Sequence, residues 1–232
     1  MNRHLLLFLL LFPILLSAQT AETQIPAEPD IVVGNGVDYK ILKYLQDHRT
    51  PAGNRVWLTV SNSVILAPAP AVGFAVGAVC TDEQSVRRSR FVDAGELMLS
   101  ELFNISLTMG TKAVVRRPRP WVAYEGDLMC LQTVRSASFP SGHTSVAFAA
   151  ATSLSLISPR WYVVVPAYLW AGAVGFSRMY VGAHFPSDVF AGALVGTGSA
   201  LLMHLIRQRI WDASDAAATP SKSFIIPITI SF

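Results

Sequence analysis

Three clusters of residues in the second half of the chain have the types and spacing that chemistry on an anion requires. The first contains Lys112 and the sequence Arg-Arg-Pro-Arg-Pro at 116–120. Lys112 and Arg119 are seven residues apart, so they share a helix face if the helix continues that far. Neighbouring cations suit the oxygens of a phosphate, and an arginine fork binds two oxygens at once. This chemistry leaves open whether Arg117 or Arg119 takes part, and a basic stop beside a membrane span is the competing interpretation.

The second cluster runs from Ser138 to Ser145 and contains Pro-Ser-Gly-His at 140–143, which opens an apolar stretch of helical character. Such a turn exposes backbone N–H groups, which together with the helix dipole favour a bound anion. His143 in this place could donate a proton near neutral pH. Taken alone, the cluster could equally be an ordinary capped helix start with a surface histidine.

The third cluster runs from Ser177-Arg178 to Asp188 and contains His184. His184 and Asp188 have i, i+4 spacing, which makes them neighbours on a helix. A carboxylate that holds one imidazole nitrogen fixes the tautomer and leaves the other nitrogen free to attack, as in covalent catalysis. Arg178 adds a nearby cation. The competing interpretation is a His–Asp capping pair near a helix start at Pro186.

The elements around these clusters have the composition of a helical membrane protein. The chain is 52% apolar and 14% charged, whereas soluble domains carry about 25% charged residues. Residues 92–115 form a helical pattern with four charges, which we expect to face protein or water. Four further stretches have no Asp, Glu, Lys or Arg: 56–79, 144–157, 161–176 and 189–206. Fully buried helices of a compact all-α soluble enzyme are the alternative.

The net charge, the cysteine count and the spacing of potential metal ligands argue against several other classes of protein. A net charge of +3 is too small to imply a nucleic-acid partner, and two cysteines allow at most one disulfide. The five histidines are dispersed, and no carboxylate group has metal-ligand spacing. We therefore expect no metal and no cofactor.

The N-terminal residues 1–18 have the order of a secretory signal peptide: a basic start, an apolar stretch and small residues at a cleavage position. An uncleaved first anchor is the alternative. Residues 19–55 form an exported segment whose apolar positions predict a short amphipathic helix near 37–45. A helical domain at 56–211 and a tail at 212–232 follow.

The distribution of basic residues predicts a topology. If residues 19–55 are outside, the positive-inside rule is satisfied by three inner basic segments: 87–90, 160 and 207–209. All three clusters then lie outside, including 112–119, where positive charge is normally scarce. We therefore expect those charges to have a chemical role. Cys80 and Cys130 would lie on opposite sides of the membrane and could not pair.

Together, Lys-x6-Arg-Pro, Pro-Ser-Gly-His and Ser-Arg-x5-His-x3-Asp, in this order, resemble the signature of the type 2 phosphatidic acid phosphatase superfamily. This superfamily also includes bacterial class A acid phosphatases and vanadium haloperoxidases. The match covers residues 112–188 with every position filled, and its spacing selects Arg119 over Arg117. The resemblance implies a metal-free phosphohydrolase on the all-α acid phosphatase/vanadium haloperoxidase fold, here a membrane-embedded bundle of about five or six spans.

The resemblance also implies a role for each signature residue. His184 would attack phosphorus and form a phosphohistidine, Asp188 would orient His184, and His143 would protonate the leaving oxygen. The phosphate would be held and the transition state stabilised by the remaining residues: Lys112, Arg119, Ser141, Gly142 and Arg178.

The expected substrate is a lipid phosphate or pyrophosphate, for which the candidates are phosphatidate-type lipids, polyprenyl pyrophosphate and lipid A phosphates. We expect the site to face the periplasm from the bacterial inner membrane. Three alternatives stay open. They are a soluble periplasmic acid phosphatase acting on small phosphomonoesters, a vanadate-dependent haloperoxidase, and a non-catalytic membrane protein that keeps the motifs.

Overall fold

The structure is a computed structural model that describes the backbone of residues 36–218 and the side chains of residues 36–210. The predicted signal peptide at 1–18 and the last part of the tail, residues 219–232, lie outside the described residues. Among the residues that are described, the regular elements are all helical. This confirms the predicted all-α class.

Eight α-helices follow one another in the described part of the chain. They are α1 (Val37–Asp47), α2 (Pro51–Asn62), α3 (Ala69–Val79), α4 (Gln84–Val115), α5 (Pro120–Ala123), α6 (Gly142–Ile157), α7 (Trp161–Tyr180) and α8 (Pro186–Ala218). A 3-10 turn, Ser63–Leu66, joins α2 to α3. The short helix expected near 37–45 is α1, and α8 continues past residue 212, where the tail was expected to begin.

Prolines and caps set the helix ends that matter for the site. Helix α4 ends at Val115, and its C-cap residue Arg116 adopts a left-handed conformation with φ 49°, two residues before Pro118. Helix α8 begins at Pro186, whose missing N–H and fixed φ suit a first turn. The clusters therefore lie in the connections and end turns of long helices.

Helix α6 lies at the centre and packs against α4, α7 and α8. Its contact with α8 is unusually close. A Cβ added to Gly196 would lie 2.1 Å from the carbonyl oxygen of Ser145, and one added to Gly192 would lie 2.6 Å from that of Ser141. Gly198 has open space around it. Two of the glycines in the last apolar stretch thus allow the backbones of α6 and α8 to meet.

Two helical segments are long and apolar enough to cross a membrane, Pro51–Val79 and Pro186–Ile210. Only 28% and 22% of their most apolar windows are buried, whereas a core helix of a soluble protein would be mostly buried. Helix α7 exposes a stripe of Trp161, Val165 and Leu169 at i, i+4, i+8 spacing. These apolar exposed faces fit a lipid environment. The count of five or six spans stays a prediction.

The charges of α4 face protein, as expected. Asp93, Glu96 and Glu101 are all buried. Glu96 accepts hydrogen bonds from Arg207 of α8 at 2.5 Å and pairs with Nδ1 of His204 at 2.8 Å. Arg207 also forms an ion pair with Asp93 at 3.0 Å. These contacts join the start of α4 to the later part of α8, at the end of the bundle opposite Lys112.

Candidate active site

The three predicted clusters meet at one end of the bundle. Lys112 lies in the last turn of α4, Arg119 directly before α5, and His143 in the first turn of α6. Arg178 lies in the last turn of α7, and His184 in the connection to α8. The topology therefore gathers residues that are up to about 70 positions apart in the sequence, because the intervening helices run away from this end and return to it.

His184 is 2% exposed, and its two ring nitrogens have different surroundings. Nε2 lies 3.2 Å from Nη1 of Arg119. Nδ1 lies 3.7 Å from Oδ2 of Asp188 and has no hydrogen-bond partner among the described residues. His184 precedes α8 rather than lying on it, so the i, i+4 spacing does not place the pair on one helix. The two side chains are neighbours that lie slightly beyond hydrogen-bonding distance.

Asp188 is fully buried and is held by three donors. Oδ2 accepts from the hydroxyl of Ser138 at 2.5 Å and from the backbone N–H of Phe185 at 2.9 Å. Oδ1 accepts from Nη1 of Arg117 at 2.7 Å. The sequence analysis included Ser138 in the second cluster without a role and weighed Arg117 only as a rival phosphate ligand. Sequence spacing could not reveal that Arg117 pairs with Asp188, because the two residues are 71 positions apart.

Three cations surround the ring of His184. Arg119 is buried and donates to Oγ and the carbonyl of Ser136, at 2.9 and 2.7 Å, and to the carbonyl of Ala183 at 2.9 Å. Lys112 donates to the carbonyl of Ala137 at 2.5 Å.

The third cation, Arg178, is also buried. Its Nη1 donates to the hydroxyl of Ser61. Its Nε has no partner among the described residues. This guanidinium therefore keeps a free donor for a ligand.

The positive charges around His184 make its imidazole harder to protonate. Burial first, and then the charges of Arg119, Lys112 and Arg178, lower the pKa of His184 well below its usual 6.5. Burial also lowers the pKa of Arg119, to about 10, so this guanidinium is still charged at neutral pH. The arrangement thus combines a neutral imidazole with the fixed charge of Arg119, which suits nucleophilic attack on a bound anion.

The start of α6 faces the same place. Ser141 is buried, its N–H donates to the carbonyl of Asp188 at 3.0 Å, and its Oγ accepts from Thr144 at 2.9 Å. Gly142 and His143 begin the helix, whose first backbone N–H groups have no partner within the helix. The helix dipole adds partial positive charge at this end.

Comparison with known proteins identifies the family. A model of the PAP2 superfamily matches residues 93–212, just over half of the chain. The chain belongs to the PAP2 superfamily. This confirms the resemblance seen in the three motifs, all of which lie inside the matched region.

Two curated relatives of this PAP2 protein are phosphatases by name. It is 34% identical over 101 residues to an undecaprenyl-diphosphatase of Sulfolobus acidocaldarius, covering 44% of this chain and 48% of that one. It is 26% identical over 173 residues to a lipid A 1-phosphatase of Rhizobium johnstonii, covering 72% and 69%. The chain thus spans about half the length of the first relative.

A solved structure supports the fold over nearly the whole chain. It is a transmembrane PAP2-type phosphatidylglycerolphosphate phosphatase from Bacillus subtilis, at 25% identity and a TM-score of 0.56. The superposition covers 90% of this chain and 98% of that chain. The all-helical architecture of this PAP2 protein is therefore that of a membrane phosphatase structure.

Proposed function

We propose that this PAP2 protein is a membrane phosphatase that hydrolyses a lipid phosphate or pyrophosphate through a phosphohistidine. One observation carries the proposal: Nε2 of the buried His184 lies 3.2 Å from the guanidinium of Arg119. A phosphate whose oxygens bind Arg119 would have its phosphorus next to that nitrogen. Proximity of this kind turns attack into an intramolecular event.

The proposed first step breaks the bond between phosphorus and the leaving oxygen. The lone pair of Nε2 of His184 forms a bond to phosphorus, and the leaving oxygen takes the electron pair together with a proton that His143 carries once the negatively charged phosphate is bound beside it. Asp188 accepts the Nδ1 proton of His184 in a hydrogen bond. The observed 3.7 Å separation between these atoms requires only a small rotation of the ring.

In the second step water replaces the enzyme as the group bound to phosphorus. His143, now neutral, accepts a proton from the water as its oxygen attacks. The bond between phosphorus and Nε2 breaks, phosphate leaves, and His184 is regenerated. Both steps pass through a trigonal-bipyramidal phosphorus with added negative charge.

The added negative charge on the trigonal-bipyramidal phosphorus is stabilised by donors that are already fixed in the protein. The donors are Lys112, Arg119, Arg178, Ser141 and the N–H of Gly142. Among the described residues, no group of three or more His, Cys, Asp or Glu side chains could hold a metal ion. The proposed steps use groups of the protein and one water molecule.

Apolar helical segments that begin beside the site support a lipid substrate. The apolar segments Pro51–Val79 and Pro186–Ile210 both begin at the end of the bundle that holds the clusters. A head group could enter there while its acyl chains stay in the membrane. The two curated relatives are named undecaprenyl-diphosphatase and lipid A 1-phosphatase, and these names support a lipid substrate.

The site is proposed to face the periplasm from the inner membrane. The predicted signal peptide supports export of the segment before α1. The basic residues Arg87 and Arg207 lie near the other end of α4, because Arg87 donates to Thr81 and Arg207 pairs with Asp93. Helix α4 has 32 residues, so the two ends are about 48 Å apart.

A substrate panel tests this function. Detergent-solubilised protein is assayed for phosphate release from lipid A, undecaprenyl pyrophosphate, phosphatidate and a small phosphomonoester, each with and without EDTA. We expect one lipid to be cleaved fastest and EDTA to have no effect. Preference for the small ester by a protein that fractionates without membranes would favour the soluble acid phosphatase instead. Activity that EDTA abolishes and a divalent ion restores would contradict the mechanism.

A further inference from the structure

Arg117 makes contacts that the proposed reaction does not explain. Its guanidinium bridges two carboxylates: Nη1 lies 2.7 Å from Oδ1 of Asp188, and Nη2 lies 3.0 Å from Oδ2 of Asp38. Nη1 also donates to the hydroxyl of Ser187 at 2.7 Å. The group lies over the ring of Phe185, with its central carbon 4.1 Å from the ring centroid. Arg117 is therefore fixed from several sides.

Asp38 reaches this group from the first turn of α1. Besides pairing with Arg117, its carboxylate accepts the backbone N–H of Ser187 at 3.1 Å and the Ser187 hydroxyl. Ser187 lies in the first turn of α8, directly before Asp188. Asp38 thus binds both the arginine that holds Asp188 and the helix turn that carries it.

Helix α1 is firmly attached to the site rather than loosely connected to it. Leu42 is 2% exposed and packs in a cluster with Leu128 and Phe185. Gln46 donates to the carbonyl of Asp127 at 2.8 Å and accepts the N–H of Met129 at 2.6 Å. These contacts fix where Asp38 sits, because α1 cannot shift without breaking them.

The bonds to Asp188 determine the orientation of its carboxylate. Ser138 and the N–H of Phe185 hold Oδ2, and Arg117 holds Oδ1. Without Arg117 the carboxylate could rotate, and a buried negative charge would lose its cation. Either change would move Oδ2 relative to Nδ1 of His184.

We propose that Arg117 and Asp38 are positioning residues for the His184–Asp188 pair. Arg117 fixes the carboxylate of Asp188, and Asp38 fixes Arg117. This rests on the proposed function, in which Asp188 orients the nucleophile. The exported segment before the helical domain thereby supplies a part of the catalytic apparatus.

The test compares variants of Arg117 and Asp38 with matched neighbours. Arg116→Ala removes an exposed arginine one residue away, and Asp47→Asn removes an exposed carboxylate from the same helix as Asp38. We expect Arg117→Ala to lower kcat by about 10- to 100-fold, with KM changed far less, as is typical when a residue that orients a catalytic group is lost. Asp38→Asn should lower kcat in the same direction, and both neighbours should match wild type.

Two readouts separate positioning from mere structural support. Guanidinium ion at millimolar concentration should restore part of the kcat of Arg117→Ala and none of that of Asp38→Asn. The double variant should lose less than the product of the two single losses in kcat, since Asp38 acts largely through Arg117. The inference would be overturned if the two single losses in kcat multiplied in full in the double variant. It would also be overturned if KM rose without a fall in kcat.

The outcomes also distinguish this inference from the proposed function. If His184→Ala is inactive while Arg117→Ala and Asp38→Asn match their neighbours, the positioning role is wrong and the phosphatase mechanism stands. If His184→Ala keeps full activity, the proposed function fails first. Should Arg117→Ala not fold, Asp38→Asn against Asp47→Asn decides the question: equal kcat values overturn the inference, and a lower one supports it.

Discussion

At the scale of single residues, the site surrounds the imidazole of His184, the proposed nucleophile, with positive charge. His184 is buried beside Arg119, and the other two cations act on it as well. Lysine and arginine in this arrangement favour an anionic ligand over a proton on the imidazole. Such a ligand brings negative charge that compensates the cations, so the site is prepared for phosphate before it arrives.

The role of His143 can be separated from that of His184 by the leaving group. A lipid alkoxide needs a proton to leave, whereas nitrophenolate does not. We therefore expect His143→Ala to lose about 100- to 10,000-fold in kcat/KM with a lipid phosphate, and less than about tenfold with p-nitrophenyl phosphate, because kcat/KM reports the departure of the leaving group and not the later hydrolysis of the phosphohistidine. Steady-state assays of both substrates give the ratio. An equal loss with the two substrates would show that His143 does not act as the acid.

The pH dependence follows from the lowered pKa of His184. As pH falls through that pKa, the ring takes up a proton and can no longer attack phosphorus. Because burial and the cations place this pKa well below 6.5, we expect no fall in kcat/KM as the pH is lowered from about 7 to about 6.5, once substrate ionisation is allowed for. The fall should come at lower pH. An acidic limb with its midpoint at or above pH 6.5 would contradict this explanation.

At the scale of elements, the contact between α6 and α8 sets the position of His143 relative to His184. Gly196 allows this contact, because a Cβ there would lie 2.1 Å from the carbonyl oxygen of Ser145 and 2.9 Å from the N of Ala149. Backbone atoms cannot move aside as a flexible side chain can. The helices would have to separate to admit even one methyl group.

We therefore expect Gly196→Ala to destabilise the protein by about 1–3 kcal/mol, the usual cost of overpacking. Gly198→Ala is the matched control, since nothing lies within 4 Å of its added Cβ. That change should be neutral or stabilising by up to about 1 kcal/mol, because alanine favours a helix. Thermal unfolding in detergent measures both. A Gly196→Ala protein as stable as Gly198→Ala would disprove the close approach.

Local sequence pattern predicted helices, and it singled out three clusters that the fold brings to one end of the bundle. It predicted the apolar stretches now in α6, α7 and α8, because periodicity and missing charge are local properties. It placed His184 and Asp188 on one helix, whereas His184 lies before Pro186. It also gave no sign that Arg117 holds Asp188, since that contact depends on how distant segments pack.

At the scale of the whole molecule, the bundle has two different ends. The end that holds Lys112 and His184 also holds α1 and residues 124–131, whereas the other end holds the Glu96–Arg207 contact. Cys80 follows α3 at that second end and is exposed. A protein that spans a membrane in one orientation has its two ends in different compartments, and two chemically different ends fit such a placement.

Labelling from one side of the membrane tests this orientation. In a Cys130→Ser background, an impermeant maleimide is added to intact spheroplasts. We expect it to label a cysteine placed at the exposed Glu125, near the site, and to reach Cys80 only after the membrane is permeabilised. Labelling of Cys80 in intact spheroplasts, with Glu125→Cys protected, would place the site on the cytoplasmic side.

The most direct test of the mechanism is to isolate the covalent intermediate. Purified protein is mixed with a lipid phosphate that carries radioactive phosphorus, quenched in alkali within its first turnover, and digested for mass spectrometry. We expect an alkali-stable, acid-labile phosphate on the peptide that contains His184, and none in His184→Ala. Turnover without any labelled protein, or the same label in His184→Ala, would contradict a phosphohistidine at this residue.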